Sequence, residues 1–229
     1  MTDNIFADSE PICIFPSIIK KYSFNKSKEL KECIVEIINK KHEEKDYNSH
    51  HSETLSFFNN VSGSSLFKEY SDTFYILKEF QNFTIQCANH FTTEVLDYTI
   101  NGEMICTNSW LNYYSTLDSH QEPHVHVNSL ISSNYFVNYN KQVHAPLFFK
   151  KCEEIGSIPF LSQRRKNTDN PALWDTAYLD YNEGDIVFWQ SHLFHYVPKS
   201  LEIGRISLAC NYMPSLLDLG GYGFKVSPA

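Results

Sequence analysis

The sequence has few of the features expected of a membrane or nucleic-acid-binding protein. Its 229 residues contain no apolar run long enough to cross a bilayer, and the first ten are polar and acidic, unlike a signal peptide. Acidic residues outnumber basic ones by 27 to 19, so the net charge is −8. The one dense basic run, Arg164-Arg165-Lys166, is typical of a solvated loop. We therefore expect a cytoplasmic protein with no membrane partner, and charge gives no support to nucleic-acid binding.

Paired cysteines are also missing. None of the six cysteines lies in a C-x-x-C pair, and most have apolar neighbours. They are Cys13, Cys33, Cys87, Cys106, Cys152 and Cys210. Such residues are typical of buried free thiols in a reducing compartment, which argues against a disulfide scaffold or a cysteine zinc site. The sequence also lacks a glycine-rich phosphate loop, which argues against a P-loop or dinucleotide site.

Aromatic residues, in contrast, are abundant. The chain has 17 Phe and 14 Tyr, and 42% of it is hydrophobic, which is enough for a substantial core. The spacing of apolar residues in the first half predicts mainly helices. The predicted elements are strands within 11–24 interrupted by Pro16, a helix from an N-cap at Ser27 to about Glu44, a loop at 45–65, and a second helix from Phe67 to Val95.

After Gly102 the pattern changes to short segments rich in aromatic and β-branched residues. Turn signals at Asn170-Pro171, Glu183-Gly184 and Ile203-Gly204 separate them. Many short strands with close turns indicate a jelly roll. We predict an α+β fold: a double-stranded β-helix (jelly-roll) core with the N-terminal helices packed on one sheet. One domain is expected over 1–229, with a mainly helical part at 1–100, a β-helix core at 101–215 and a tail at 216–229.

Three histidines form the first candidate for a chemical site. His124 and His126 stand two residues apart, where side chains of a strand point to the same face, and His195 lies on a later strand. Two imidazoles so placed can reach one metal, although an isolated H-x-H is a weak signal. His120-x-Glu122 offers a second set, because with His195 it gives two histidines and one carboxylate. Both sets remain open from spacing alone.

The second candidate is the strand that carries Arg205 and Ser207. These two side chains share one face, and a guanidinium beside a hydroxyl is well shaped to hold a carboxylate. Ile206, Leu208 and Cys210 alternate with them and are expected to face the core. The competing interpretation is an exposed strand with a surface arginine.

Taken together, these residues resemble the 2-oxoglutarate and Fe(II)-dependent oxygenase superfamily, and within it a 2OG-Fe(II) oxygenase family common in marine bacteria and their phages. The resemblance covers roughly residues 104–213. Its motifs are, in order, Trp110-x-Asn112, His124-x-His126-x-Asn128-Ser129, Ser132 with Tyr135-Phe136, Glu183-Gly184-Asp185, Ser191-x-Leu193-x-His195, and Arg205-Ile206-Ser207 with Asn211. The ordered set is more specific than any single motif. The N-terminal half carries no matching motif.

The resemblance implies an Fe(II)- and 2-oxoglutarate-dependent dioxygenase, an oxidoreductase that hydroxylates an unidentified substrate with dioxygen and releases succinate and CO2. Its iron ligands would be His124, His126 and His195, with His126 standing where most of the superfamily has an acid. The spacing to the downstream motifs favours this set over the one with His120 and Glu122.

The resemblance also implies a site for the cosubstrate. Arg205 would bind the distal carboxylate of 2-oxoglutarate, helped by Ser207. Tyr114, on a preceding strand, would contact the cosubstrate too, and Asn112 on the same face is a further candidate.

Two other functions remain open from the sequence. Three histidines on a β-barrel also suit a cupin-like dioxygenase that needs no cosubstrate, and a jelly roll also suits a non-catalytic binding module. Substrate and oligomeric state are open as well. The remaining histidines are interpreted as surface or loop residues (His42, His50, His51, His90 and His144) or as pointing away from the metal (His192).

Overall fold

The computed structural model describes residues 17–49, 53–58, 64–150, 176–218 and 220–227. Its helices are α1 (Ser27–Glu43), α2 (Leu66–Tyr70) and α3 (Tyr75–His90), the last continued by a π-helical turn, Phe91–Val95. Its strands are β1 (Ile19–Ser23), β2 (Asn48–Ser49), β3 (Leu55–Phe57), β4 (Asn101–Tyr114), β5 (Gln121–His124), β6 (Ile131–Asn138), β7 (Phe148–Lys150), β8 (Thr176–Ala177), β9 (Asp185–Gln190), β10 (Phe194–Val197), β11 (Arg205–Asp218) and β12 (Gly223–Lys225).

Two antiparallel sheets form the core. The larger has the strand order β1-β9-β6-β11-β4-β3-β2, with β12 paired to β11, and the smaller has the order β5-β10-β7-β8. From β4 onward the chain alternates between them: β4, β6, β9 and β11 belong to the large sheet, whereas β5, β7, β8 and β10 belong to the small one. This alternation confirms the predicted double-stranded β-helix.

The two faces of the large sheet have different roles. One face packs against the helices in a core that includes Leu30, Phe80, Ile206, Leu208 and Cys210, all at most 6% exposed. Each such side chain contributes about 1.5–3 kcal/mol through the hydrophobic effect. The other face lies under the small sheet and carries a second buried cluster. The predicted alternation along β11 is therefore correct, and it places Arg205 and Ser207 between the two sheets.

The N-terminal half differs from the sequence prediction in three places. Lys26, and not Ser27, holds the N-cap position of α1. The region predicted as a loop at 45–65 contains β2 and β3, and β3 extends the large sheet beside β4. The second helix is broken between α2 and α3, where Phe74 has an extended backbone (φ −114°, ψ 108°).

Other sequence predictions are confirmed where the structure describes the residues. Gly184 and Gly204 have φ of +90° and +95°, as turn positions that favour glycine do. Cys33, Cys87, Cys106 and Cys210 are buried free thiols. Residues 11–16, the basic run, the Asn170-Pro171 turn, Cys13 and Cys152 lie outside the described residues. Within the described part of the chain, no helix combines the length and apolar character needed to span a bilayer.

Candidate metal centre

The small sheet and the turn after it bring three histidines together. His124 ends β5 directly opposite His195 on β10, so strand pairing sets their separation. His126 lies two residues beyond the strand, where its backbone N–H donates to the Ser191 carbonyl at 2.9 Å. One ring nitrogen from each of the three lies within 4.8 Å of the others. The three side chains predicted from the sequence therefore form a group with the dimensions of a metal site.

Hydrogen bonds at Nδ1 set the orientation of all three rings. His124 Nδ1 lies 2.7 Å from the Glu122 carbonyl oxygen, and His195 Nδ1 lies 3.0 Å from that of Leu193. His126 Nδ1 lies 2.7 Å from Oδ1 of Asn211. A carbonyl oxygen only accepts, so each Nδ1 carries the proton and donates it. Each Nε2 is left with a free lone pair, which is the form in which imidazole binds a metal.

The His126 ring is supported by a polar network on the large sheet. Ser132 Oγ lies 2.8 Å from His126 Nδ1 and donates to Asn211 Oδ1 at 2.9 Å. Ser191 Oγ lies 2.7 Å from Ser132 Oγ and accepts from Ser129 at 2.8 Å. The sequence places all four residues in motifs of the resemblance but assigns them no role. The structure shows that they fix one imidazole.

Burial keeps two of the rings neutral. Desolvation, with a smaller contribution from the neighbouring His124, lowers the pKa of His126 to about 4. Desolvation, followed by repulsion from His124 and His126, lowers the pKa of His195 to about 3. Both imidazoles are therefore neutral at physiological pH and do not need to lose a proton to bind a metal.

Arg205 is a fully buried cation on the same face of the large sheet. Its Nε donates to the Ala145 carbonyl at 3.1 Å, and its Nη1 donates to Ser207 Oγ at 3.4 Å. Its Nη2 has no hydrogen-bond partner, and no carboxylate of the described residues pairs with it. The guanidinium lies 4.5 Å from the centre of the Tyr114 ring. A buried charge without a counter-charge is costly, so the arrangement calls for an anionic ligand.

Tyr114 and Asn112 lie beside the arginine. Tyr114 is opposite Arg205 across the β4–β11 pair, and Asn112 is opposite Ser207. The Tyr114 hydroxyl is buried without a partner. Burial raises its pKa although Arg205 opposes the rise, so the hydroxyl keeps its proton and can donate. Asn112 already accepts a hydrogen bond from Ser56 at 2.9 Å, which leaves its amide N–H groups to donate.

A cavity of about 390 Å³ opens on the three histidines. It is lined by amide side chains of β4, β6 and β11, by Trp110 and Trp189, and by the small side chain of Ala209. None of the described residues lining it is Asp, Glu, Lys or Arg. The site thus combines three imidazoles, a polar cavity without charged side chains among its described lining residues, and one buried arginine on the same face of the large sheet.

Comparison with known proteins agrees with this chemistry. Residues 108–211 match the family described as "Putative 2OG-Fe(II) oxygenase". Over these residues the chain is similar to the 2OG-Fe(II) oxygenases. The matched region lies inside the stretch over which the sequence resembles these enzymes, and it contains all three histidines, Arg205 and Asn211. The oxygenase is an oxidoreductase with Fe(II) and 2-oxoglutarate as cofactors.

Solved structures with the same fold are distant in sequence. A Pseudomonas putida prolyl-4-hydroxylase matches with a TM-score of 0.50 and 11% identity over 86% of this chain and 92% of that one. EctD from S. alaskensis with bound Fe matches with a TM-score of 0.54 and 11% identity, over 87% of this chain and 73% of that one. The epimerase SnoN with Fe3+ and α-ketoglutarate matches with a TM-score of 0.55 and 10% identity, over 92% of this chain and 90% of that one. At this identity the likeness shows the fold alone. No curated protein matches in sequence.

The residues of the oxygenase fit both cofactors. Three imidazoles with free Nε2 atoms suit iron, for which imidazole is a common ligand. Arg205 Nη2 and the Tyr114 hydroxyl are buried donors without acceptors, as a site for the carboxylate of 2-oxoglutarate requires.

The alternative histidine–carboxylate set is not assembled around His195. His120 Nε2 lies 3.0 Å from Glu122 Oε1, but the Glu122 side chain is 79% exposed. In the described part of the chain, only His124, His126 and His195 bring three ligand atoms of His, Cys, Asp or Glu this close together. The geometry therefore favours the set with His126.

Of the histidines predicted to lie away from the metal, His144 is in the loop between β6 and β7 but is buried: its Nδ1 accepts from the Asn140 N–H at 3.1 Å and its Nε2 lies 3.2 Å from the Ile203 carbonyl. It fixes the turn before β11, a long-range contact that its sequence neighbours do not reveal. His192 is exposed.

Lowering the pH should destabilise the metal-free protein through the buried rings. Their pKa values of about 4 and about 3 lie below the unfolded value of 6.5, so between these limits the unfolded chain binds more protons. The free energy of unfolding should therefore fall as pH drops below about 6.5. Urea unfolding with chelator present, near pH 7 and near pH 5, measures this loss. In His126→Asn the free energy of unfolding should fall less between these two pH values than in the wild type. An equal fall would contradict the assignment of part of the pH dependence to His126.

Proposed function

We propose that this oxygenase hydroxylates its substrate at the expense of 2-oxoglutarate, releasing succinate and CO2. When bound, iron and 2-oxoglutarate together supply the oxidising chemistry: from each dioxygen, one oxygen atom enters the substrate and the other enters succinate. The protein's own contribution is to bind and orient the cofactors and the substrate, and to exclude water. The observation that carries this proposal is the buried, unpaired Arg205 on the same face as the three-histidine group.

Each part of the site has a defined task in this proposal. His124, His126 and His195 hold iron through Nε2, with Nδ1 fixed by carbonyl acceptors. The three rings bring no negative charge, so iron is retained by ring orientation more than by charge.

The cosubstrate lies on the other residues of this face. Arg205 and Ser207 hold its distal carboxylate, and the Tyr114 hydroxyl and the Asn112 amide donate further hydrogen bonds to it. Because Arg205 is 0% exposed, water does not compete for the guanidinium. The substrate enters the cavity above the histidines.

The first test is spectroscopic and uses the oxygen-free protein. Adding Fe(II) and 2-oxoglutarate should give the visible charge-transfer absorption of a metal-bound 2-oxo acid, and admitting dioxygen should convert 2-oxoglutarate to succinate. Glu122→Ala is the matched control, because an exposed carboxylate outside the site should change neither result. A folded wild-type protein that binds iron without this absorption and without consuming 2-oxoglutarate would refute the proposal and favour a cosubstrate-independent dioxygenase.

A further inference from the structure

One buried donor on the cavity wall has no task in the site so far. Asn134 on β6 is 6% exposed, lines the cavity, and its Nδ2 has no hydrogen-bond partner. An amide N–H buried in this way loses its hydrogen bonds to water without replacement. Trp189 Nε1 is a second such donor, but its ring packs 4.8 Å from His195, so replacing it would disturb the metal group directly.

Strand register places Asn134 between the two ends of the site. It is opposite Ala209 on β11. Asn211, two residues after Ala209 on β11, supports His126. Ser207 lies two residues before Ala209, and Arg205 lies two residues before Ser207. Side chains on one face of a strand are about 7 Å apart at this spacing. Asn134 thus lies in the row that a ligand must cross to run from the histidines to the arginine.

The neighbours of Asn134 leave room for such a ligand. Across β11, Ala209 contributes only a methyl group to this row, and it too lines the cavity. On the other side, Val187 of β9 is apolar and offers no hydrogen bond. The described residues that line the cavity include no fixed positive charge, so negative charge near the histidines must be met by neutral donors.

We propose that Asn134 Nδ2–H donates to the carboxylate that adjoins the keto group of bound 2-oxoglutarate. This assignment rests on the proposed function, since it takes 2-oxoglutarate to span the face from the histidines to Arg205. Asn134 then acts as a second anchor for the cosubstrate: Arg205 holds the distal end, and Asn134 orients the end nearest the metal.

The experiment measures the dissociation constant of 2-oxoglutarate for the Fe(II)-loaded protein without oxygen, by titrating its charge-transfer absorption. In Asn134→Ala the constant should rise about 10- to 100-fold, the effect of one lost hydrogen bond to a charged group. In Asn134→Asp, which keeps the shape but replaces the donor by a repelling carboxylate, the rise should be larger. Both variants should shift the absorption maximum while their affinity for Fe(II) stays that of the wild type.

The control is Asn101→Ala, which removes an exposed amide at the start of β4, outside the cavity lining, and should leave both constants unchanged. Wild-type affinity for 2-oxoglutarate in both Asn134 variants would overturn the inference alone. So would loss of Fe(II) binding in both, since that indicates a structural role. A wild-type protein that does not bind 2-oxoglutarate would overturn the proposed function itself.

Discussion

Replacing Arg205 by methionine should greatly weaken 2-oxoglutarate binding and leave Fe(II) binding intact. The guanidinium is fully buried, has one unpaired Nη2 and meets no carboxylate among the described residues, so a ligand carboxylate is its missing partner. Removing one member of a buried, hydrogen-bonded charge pair costs about 2–5 kcal/mol, or roughly 30- to 4000-fold in affinity. Calorimetric titration of the Fe(II)-loaded variant without oxygen measures the loss.

The same substitution should not destabilise the metal-free protein. An unpaired buried cation is unfavourable, and apolar replacements of buried charges are often neutral or stabilising. Urea unfolding should therefore give a free energy equal to or above that of the wild type. Arg205→Lys is the matched variant: it keeps the charge without the planar fork and should retain weak binding. Wild-type affinity in Arg205→Met would remove the arginine from the site.

The face assignment of β11 was predictable because it depends on a local rule. Side chains of a strand alternate, so the apolar character of Ile206, Leu208 and Cys210 was enough to place Arg205 and Ser207 on the opposite face. The H-x-H pair was predictable for a similar reason, although His126 lies just beyond β5 and is held by the Ser191 carbonyl. Spacing along the chain was a good guide here because the distances are short.

Features that depend on register between distant strands were not predictable. The row that joins Asn134 to Ala209 exists only because β6 pairs with β11 in one particular alignment. The burial of His144 likewise depends on Ile203, 59 residues away. No local pattern encodes such contacts, so the sequence assigned Asn134 no role and did not predict the burial of His144.

The break between α2 and α3 and the short β3 have a different explanation. Helical spacing of apolar residues continues from Phe67 to Val95, but the residues 71–73, Ser-Asp-Thr, favour caps and turns over a helix interior, and Phe74 is extended. β3 has only three residues, in a stretch dominated by polar side chains. It is a strand because β4 offers it an edge to pair with, which is a tertiary effect.

Removing His126 should lower the affinity for Fe(II) more than removing a residue that only supports a ligand. In the proposed site all three ligands are imidazoles and no carboxylate accompanies them, so the loss of His126 leaves two. We expect His126→Ala to lower Fe(II) affinity more than 100-fold, beyond the roughly 10- to 100-fold that follows loss of a residue supporting a ligand. Competition with a colorimetric chelator, without oxygen, measures the affinity.

Asn211 and His120 make this prediction specific. Asn211→Ala removes the acceptor that fixes His126 Nδ1 and should weaken Fe(II) binding about 10- to 100-fold, less than loss of the ring itself. His120→Ala removes an imidazole outside the group and should change nothing. His126→Asp should retain Fe(II), because it restores two histidines and a carboxylate. If His126→Ala keeps its iron while His120→Ala or Glu122→Ala loses it, the metal is held by the other set, and the polar network around Asn211 supports a ring that is not a ligand.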